Sequence, residues 1–250
     1  MSQKELSRSA YIRQQILALI DRMDFEYSTR LPSEHWLAAK LQVSRSTIRS
    51  VLAGLEVEGK IIRRHGSGTY VNPQAMGVES TLYTNMNMYD LICKNGYTPG
   101  VKVLQTKTMP AGEERASKLG LFPNEPVIES HSVYFADGVP CMYCVDCVDA
   151  KRFSALDWNG REQYGGSIHD YIRQELDIDI SWDIIRILGA HSGQRPELQM
   201  WFSGSDRGVK PLVLLDITNF DSHNQASLLG NIYVDTDKIS LNVVRDFTKV

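Results

Sequence analysis

The sequence predicts an α+β protein of two domains: an N-terminal helix-turn-helix with a two-stranded wing over residues 1–74, and a C-terminal domain over residues 83–250 with a mostly antiparallel sheet. Three observations predict this fold class. Apolar residues recur at helical spacing in three stretches before residue 58. Two short β-prone runs then flank a glycine-rich turn. Longer β-prone runs alternate with short helical stretches from residue 101 onward, which is typical of an α+β domain.

Length and composition favour a folded, soluble protein. The chain has 250 residues, of which 42% are hydrophobic, and this is enough for two ordinary domains. The chain has no apolar run of about 18 residues, the length that a transmembrane helix needs. The polar stretch Met1–Arg13 lacks the apolar core of a signal peptide, so we expect a cytoplasmic protein without a membrane partner.

The net charge of −3 conceals an uneven distribution of charge along the chain. Residues 1–75 contain 11 Lys and Arg against 7 Asp and Glu, a balance of +4. The rest of the chain contains 16 against 23, a balance of −7. A basic first third on an acidic body suggests a polyanionic partner for the first part only.

The first three predicted helices have the order and spacing of a helix-turn-helix. Residues 7–23 form an amphipathic helix. Ser33 is placed to cap a second helix, which carries Leu37 and Leu41 inward. A tight joint at Gln42-Val43 then leads into the third helix.

The third helix has one apolar face and one cationic face. Its apolar residues, Ile48, Val51, Leu52 and Leu55, recur at helical spacing, and Ser44 is a candidate N-cap. Arg45 and Arg49 lie four residues apart and therefore on one side, beside the hydroxyls of Ser46 and Thr47. Forked donors and small hydroxyls on one face can read base edges in the major groove of DNA, although an Arg pair on a helix is often only a solvated surface.

A short hairpin follows the third helix. Residues 61–64 and 69–71 are predicted strands, and the turn between them contains His65 and Gly66. Arg63 and Arg64 lie close to the tip of this predicted wing. Because no helix follows the glycines, a nucleotide-binding loop is not predicted.

The motifs of residues 7–72 resemble the winged helix-turn-helix of the GntR family of bacterial transcription regulators. They are Leu31-Pro32-Ser33-Glu34, Val43-Ser44-Arg45-Ser46-Thr47-Ile48-Arg49, Glu58-Gly59 and Gly66-Ser67-Gly68-Thr69-Tyr70-Val71. The family usually has Arg directly after Ser-Glu, and His35 stands there in this chain. The resemblance and the wing prediction together imply DNA contacts at His35, Ser44, Arg45, Ser46, Thr47, Arg49, Arg63, Arg64, His65 and Gly66.

Residues 75–82 are a predicted linker, and the second domain begins at residue 83. Its predicted helices are 85–94, 113–119, 167–176 and 196–202. Its predicted strands are 101–109, 126–135, 139–148, 178–190, 212–220, 227–234 and 239–247.

This second domain resembles the ligand-binding (UTRA) domain of the HutC branch of GntR regulators, which has a chorismate-lyase-like fold. The resemblance covers about residues 80–248 and rests on Asn95-Gly96-Tyr97-Thr98-Pro99, Leu119-Gly120-Leu121, Ala136-Asp137-Gly138-Val139-Pro140, Gly166-Ser167 and Tyr233-x-Asp235-Thr236-Asp237. It implies a small-molecule effector near Asn87, Ser132, Tyr134, Ser167 and Tyr233.

The family's usual Arg-x-Arg pair is missing from the predicted effector site, because Ser132 and Tyr134 stand in its place. An Arg fork suits phosphate or carboxylate, so a phosphorylated sugar is disfavoured as effector. Either the ligand is less anionic, or Arg173, Arg186 or Arg195 supplies positive charge from another direction. Ser132 and Tyr134 can also simply pack or face solvent.

We therefore expect a sequence-specific transcription regulator, acting as a repressor, that binds a palindromic operator as a homodimer under the control of an effector and needs no cofactor. The sequence does not decide between repression and activation, and it does not identify the effector or the operator sequence.

Two alternatives remain at this point. Cys141, Cys144 and Cys147 form a C-x2-C-x2-C run that suggests a metal- or redox-responsive regulator, although alternation along a strand places Cys144 on the opposite face, and buried reduced thiols also fit. The chorismate-lyase-like fold suggests an enzyme, although His131, His169, His191 and His223 are scattered without a paired catalytic group.

Overall fold

The computed structural model describes residues 8–64, 66–76, 78, 87–158, 167–203 and 208–244. The chain forms two compact units, and both ends of the described chain lie in the first one. Residues 8–78 together with 241–244 belong to the first unit, and residues 87–240 form the second. The units thus differ from the predicted division at residues 241–244. No helix of the described residues is long and apolar enough to cross a membrane.

The first unit contains the predicted helix-turn-helix and wing. Its elements are α1 (Arg8–Ile20), α2 (Glu34–Leu41), α3 (Arg45–Val57), β1 (Ile61–Arg64), β2 (Gly68–Val71) and the short α4 (Pro73–Met76). The apolar stripes of α1, α2 and α3 meet in one core that includes Ile16, Leu37 and Ile48, all fully buried. The strands β1 and β2 pair antiparallel, with Ile61 opposite Val71.

Local backbone chemistry explains the sharp joints of this unit. The Ser33 hydroxyl accepts a hydrogen bond from the Trp36 amide at 3.2 Å, which fixes the start of α2. Gln42 ends α2 in the left-handed conformation, with φ of 54°. Gly59, with φ of +72°, turns the chain from α3 into β1, and Val244 packs where a Cβ of residue 59 would stand.

The second unit is a six-stranded antiparallel sheet with helices. In chain order its elements are α5 (Met88–Lys94), β3 (Pro99–Pro110), α6 (Gly112–Leu119), β4 (Pro126–Ala136), β5 (Val139–Asp149), α7 (Ile168–Leu176), β6 (Ile180–His191), a 3-10 turn (Ser192–Gln194), α8 (Pro196–Phe202), β7 (Pro211–Asp221) and β8 (Ala226–Val234). The strand order is β3-β4-β5-β8-β7-β6, and each neighbouring pair is antiparallel. The predicted α+β class with a mostly antiparallel sheet is confirmed.

The two faces of this sheet carry different helices. On the face that includes Ser132, which we call the Ser132 face, α7 packs on Ile128, Val148 and Leu228. On the face that includes Tyr233, which we call the Tyr233 face, α8 packs on Val133, Tyr143 and Tyr233. Helix α6 covers Cys147 and Leu229 on the Tyr233 face.

The predicted strand over residues 239–247 is wrong for its described part. Residues 239–244 form no strand beyond an isolated bridge at Asn242, and residues 245–247 lie outside the described chain. A turn closes after β8 instead, where the Ile239 amide donates to the Asp235 carbonyl at 3.0 Å. The Ser240 amide then donates to Asn95 Oδ1 at 2.9 Å, so these backbone groups are satisfied without a ladder.

Candidate functional site

The N-terminal turn of α3 presents a cluster of hydroxyls. The Ser44 hydroxyl caps the helix by accepting from the Thr47 amide at 3.1 Å. It also lies 2.7 Å from the Ser46 hydroxyl and 2.8 Å from that of Thr47. Ser44 and Ser46 are exposed, whereas Ile48 on the opposite side is fully buried. The predicted division of α3 into a buried and an exposed face is therefore present.

Arg45 and Arg49 lie on the exposed face of α3 and converge on Glu34 of α2. Arg49 Nη2 donates to Glu34 Oε2 at 3.0 Å, and Arg45 Nη2 lies 4.0 Å from the same oxygen. The hydrogen bond and charge of Arg49 lower the pKa of the Glu34 carboxyl, and Glu34 in turn raises the pKa of Arg49. The pair is charged near neutral pH, and most of each guanidinium side chain remains exposed, 62% for Arg45 and 60% for Arg49. The sequence did not predict this role of Glu34, because spacing along the chain does not reveal a contact between α2 and α3.

The two wing arginines differ in what they touch. Arg63 Nη2 donates to the Arg49 carbonyl at 3.1 Å and Arg63 Nε lies 3.4 Å from Glu56, so this side chain braces the wing against α3. Arg64 is exposed and its guanidinium lies 4.7 Å from the centre of the Tyr70 ring. Gly66 is exposed, with φ of +71°, and the predicted contact residue His65 lies outside the described residues.

Two further residues lie at this surface. His35 is exposed in the first turn of α2. Arg30 pairs with Tyr70 in an isolated antiparallel bridge, and its guanidinium lies 3.1 Å from the position of a Cβ on Gly68. Arg30 was not among the predicted contacts, because its bridge to Tyr70 joins residues that are far apart in the sequence.

The predicted effector residues do not all lie on one surface. Ser132 and Tyr134 lie two residues apart on β4 and therefore share one face of the sheet. Ser132 is paired with Cys144 of β5, and Cys144 with Ile232 of β8. Tyr233 lies opposite Tyr143 and therefore points to the other face. The assignment of Tyr233 to the same pocket is corrected, since a strand alternates its side chains and sequence alone did not fix this register.

The two remaining effector candidates cap helices. Ser167 is buried and caps α7, the helix on the Ser132 face, by accepting from the Asp170 amide at 3.2 Å. Asn87 caps α5 by accepting from the Asp90 amide at 2.8 Å, and α5 packs against β3 and β4. Ser132 and Tyr134 are both buried.

Arg186 and Arg195, two of the arginines named as alternative sources of positive charge, lie on the Tyr233 face. Arg186 lies opposite Asp216, which lies opposite Asn231 on the Tyr233 face, and Arg195 lies 5.9 Å from the centre of the Tyr233 ring. Arg173 is an exposed residue of α7 that lies 3.2 Å from Asp179. On the Ser132 face the strands carry the acids Asp146 and Asp183, and Asp221 at the end of β7, which is paired with Arg152.

Two protein-family models match the chain. The model described as "Bacterial regulatory proteins, gntR family" matches residues 8–71, and the UTRA domain model matches residues 94–240, more than half of the chain.

This chain belongs to the GntR family, and its second unit is a UTRA domain.

Relatives agree with this membership. The GntR regulator is 26% identical to the uncharacterized HTH-type transcriptional regulator YurK of Bacillus subtilis over 230 residues, 88% of each chain. It is 33% identical to the histidine utilization repressor of Pseudomonas putida over 132 residues, 52% of each chain. Among solved structures, YydK from B. subtilis, described as a possible transcriptional regulator, superposes with a TM-score of 0.72 at 19% identity, covering 96% of this chain and 100% of that one.

Neither sequence-level alternative has support in the site geometry. In register, Cys144 points to the Ser132 face and Cys147 to the Tyr233 face, so the run cannot converge on one ion. Burial raises the pKa of Cys141 to about 12 and that of Cys147 to about 11, which keeps both thiols protonated. The family and the matched relatives are transcriptional regulators, not enzymes.

The Tyr233 face contains a buried polar network that sequence reasoning did not find. His131 Nδ1 lies 2.8 Å from the Tyr143 hydroxyl and His131 Nε2 lies 2.7 Å from Glu129 Oε1. Arg115 of α6 pairs with the same Glu129. Arg115 lies in α6, Glu129 and His131 lie in β4, and Tyr143 lies in β5, so the network joins these three elements.

Proposed function

We propose that this GntR regulator binds a palindromic operator as a homodimer and places one α3 helix of each copy in the major groove. The supporting observation is the exposed end of α3, where Arg45 and Arg49 stand beside the Ser44, Ser46 and Thr47 hydroxyls. Arg is the commonest partner of guanine in the major groove because its fork matches two acceptors on one base edge. Two copies related by a two-fold axis would read two half-sites about one helical turn apart.

Glu34 would set the orientation of the reading arginines before DNA arrives. A carboxylate 3.0 Å from Arg49 Nη2 limits the conformations of a long side chain, which lowers the entropy lost on binding. Arg30, Arg64 and the exposed Gly66 of the wing would contact phosphates. Such contacts would make operator affinity fall steeply with salt.

The operator is testable without knowing its sequence. Selection from a random duplex library with the full-length protein should enrich an inverted repeat, and footprinting should show protection of both half-sites on one face of the duplex. Enrichment of an asymmetric site, or no enrichment over an unrelated protein, would contradict the proposal.

We further propose that a small molecule binds the Ser132 face of the UTRA domain and that the ligand is not phosphorylated. Ser132 and Tyr134 offer hydroxyls where a guanidinium pair would hold phosphate, and the described strands place Asp146 and Asp183 on this face. A dianion would be repelled by these two carboxylates, most strongly by that of Asp146, which is buried.

Thermal-shift measurements on the full-length protein test the ligand class. The panel should contain matched sets of one sugar, its amino form and its phosphate ester. The proposal predicts stabilisation by an uncharged or amine-bearing compound and a smaller effect of its phosphate. Greater stabilisation by the phosphate would overturn the ligand class while leaving DNA recognition intact.

Repression is the regulatory action we propose. Two similar proteins are named as repressors. They are the histidine utilization repressor of P. putida and the HTH-type transcriptional repressor NagR of B. subtilis, the latter 26% identical over 170 residues and 68% of each chain. The effector would lower operator affinity by binding one arrangement of the two reading heads better than the other. A reporter driven by the selected operator should rise when the gene for this regulator is deleted, whereas a fall would indicate activation.

A further inference from the structure

A short segment before α2 pairs with β2 on the edge that β1 does not occupy. The Leu31 amide donates to the Thr69 carbonyl at 2.8 Å, and Arg30 and Tyr70 form an antiparallel bridge beside this bond. A second backbone bond, 2.7 Å long, closes the pairing on the other side of the bridge. Arg30 is therefore fixed to the wing by backbone hydrogen bonds, although it lies far from the wing in the sequence.

Arg30 and Arg64 project from the same face of the wing. Residues paired directly across two strands share a face, and so do residues two apart on one strand. Arg30 is paired with Tyr70, and Arg64 is paired with Gly68, which lies two residues before Tyr70 on β2. Arg63 lies on the opposite face, where it bonds to α3. Both Arg30 and Arg64 are exposed.

The two guanidinium groups lie over neighbouring positions of β2. Arg30 Nε lies 3.1 Å from the position of a Cβ on Gly68, so this guanidinium covers bare glycine backbone. The Arg64 guanidinium lies 4.7 Å from the centre of the Tyr70 ring, whose hydroxyl lies 2.8 Å from the Ser67 hydroxyl. Positions 68 and 70 are about 7 Å apart along a strand. An anion of the size of a phosphate group can therefore touch both cations.

Neither of these two cations forms an ion pair with a carboxylate of the described residues. The neighbouring arginines of the same unit do, since Arg49 lies 3.0 Å from Glu34 and Arg63 lies 3.4 Å from Glu56. Two cations that stand close together without a counter-charge repel each other. An anion between them would be attracted by both, so this surface favours a negatively charged partner.

We propose that Arg30 and Arg64 hold one backbone phosphate of DNA between them, an arrangement that we call the arginine clamp. A guanidinium donates two parallel charge-assisted hydrogen bonds to phosphate oxygens, and the oxygens of one phosphate can accept from two sides. DNA is the source of the phosphate because residues 1–75 carry a balance of +4 and contain the exposed face of α3. The inference rests on the proposed DNA binding and adds that these two arginines share one phosphate.

The arginine clamp would position the reading head without reading bases itself. Phosphate contacts fix the register and orientation of a protein on the duplex and carry no sequence information directly. The opposite face of the wing is the one that bonds to α3, through Arg63. The phosphate held by the clamp would therefore flank the base pairs that α3 contacts, once in each half-site.

The salt dependence of affinity tests the arginine clamp on any duplex, including one of unrelated sequence. Each phosphate that the protein neutralises adds about one to the slope of log Kd against log salt concentration. Arg30→Ala and Arg64→Ala should each weaken binding by about tenfold at fixed salt. The double variant should lower the slope by about one for each bound protomer, because only one phosphate is lost.

Uncharged methylphosphonates at single positions of the selected operator identify the phosphate that each arginine holds. One flanking position in each half-site should cancel the cost of Arg30→Ala, and the same position should cancel that of Arg64→Ala. Arg22→Ala is the matched control, since it removes an exposed arginine of the same unit outside the clamp. It should bind every duplex as wild type does.

Four outcomes would overturn the arginine clamp or separate it from the proposed function. Wild-type affinity of Arg30→Ala, a slope lowered by two in the double variant, or cancellation at two different phosphates would overturn the clamp. Both substitutions replace exposed side chains, so an unchanged Tm shows that a loss of affinity is not misfolding. Selection of an asymmetric operator with the expected slope would refute the proposed palindrome alone.

Discussion

The backbone at Gly59 allows two glycine substitutions to be compared with opposite predicted signs. Gly59 has φ of +72°, and an added Cβ would overlap Val244 Cγ1. A left-handed non-glycine residue costs about 1–2 kcal/mol, and inserting a methyl into packed atoms costs about 1–3 kcal/mol. Gly59→Ala should therefore lower the free energy of unfolding of the first unit by roughly 2–5 kcal/mol.

Gly54 provides the matched control within α3. A Cβ there has no heavy atom within 4 Å and the residue is helical and exposed. Gly54→Ala should therefore stabilise by about 0.5–1 kcal/mol. In a Val244→Ala background, Gly59→Ala should keep only the backbone cost of about 1–2 kcal/mol.

Urea unfolding followed by fluorine NMR of fluorotryptophan-labelled protein measures these changes. Trp36 is the one tryptophan in the first unit, so its resonance reports that unit separately from Trp158, Trp182 and Trp201. An unchanged midpoint for Gly59→Ala would refute the reasoning about this joint. If Gly59→Ala cost as much in the Val244→Ala background as in wild type, the packing part of the reasoning alone would be refuted.

Two further predictions concern the second unit. Burial, which raises the pKa of Asp221, is outweighed by hydrogen bonds from Arg152 and from the Gln225 and His223 amides, which bring that pKa down to about 2. Because the folded pKa lies below the ordinary value, this stabilisation is complete above about pH 4 and is lost as pH falls toward 2. Asp221→Asn should therefore lower the Tm at pH 6 and flatten its dependence between pH 4 and 2 in calorimetry, whereas an unchanged slope would contradict the assignment. For the cysteines, Cys93 is exposed while Cys141, Cys144 and Cys147 are buried, so a thiol-specific chromogenic reagent should modify one thiol per native chain and four after denaturation. Rapid modification of a second native thiol would show that the Cys run is accessible.

The order of elements was predictable from sequence because local chemistry determines it. Ser33 and Ser44 cap the helices where expected, and the glycine turns of the wing and of the β4–β5 hairpin fall in the predicted places. The apolar period of α3 likewise gave the buried face directly. These signals lie within a few residues of the structure they produce.

What could not be predicted depends on contacts between distant residues. Tyr233 was assigned to the effector site from its place in a motif, but its face depends on register with β5. The pairing of Glu34 with Arg49 requires the crossing of α2 and α3. Residues 239–244 have the alternation of a strand, yet the turn at Asp235 and the contact of Ser240 with Asn95 satisfy that backbone first.

The central claim is that α3 reads DNA sequence, and the affinity of Arg49→Ala for the selected operator tests it most directly. At fixed salt, the variant should lose about 1–3 kcal/mol of specific binding, roughly 5- to 150-fold in Kd, with a smaller loss on unrelated duplex. Arg22→Ala removes an exposed cation of the same unit outside the proposed interface and should bind as wild type does. Operator affinity of Arg49→Ala equal to that of Arg22→Ala, with both proteins folded, would contradict the account.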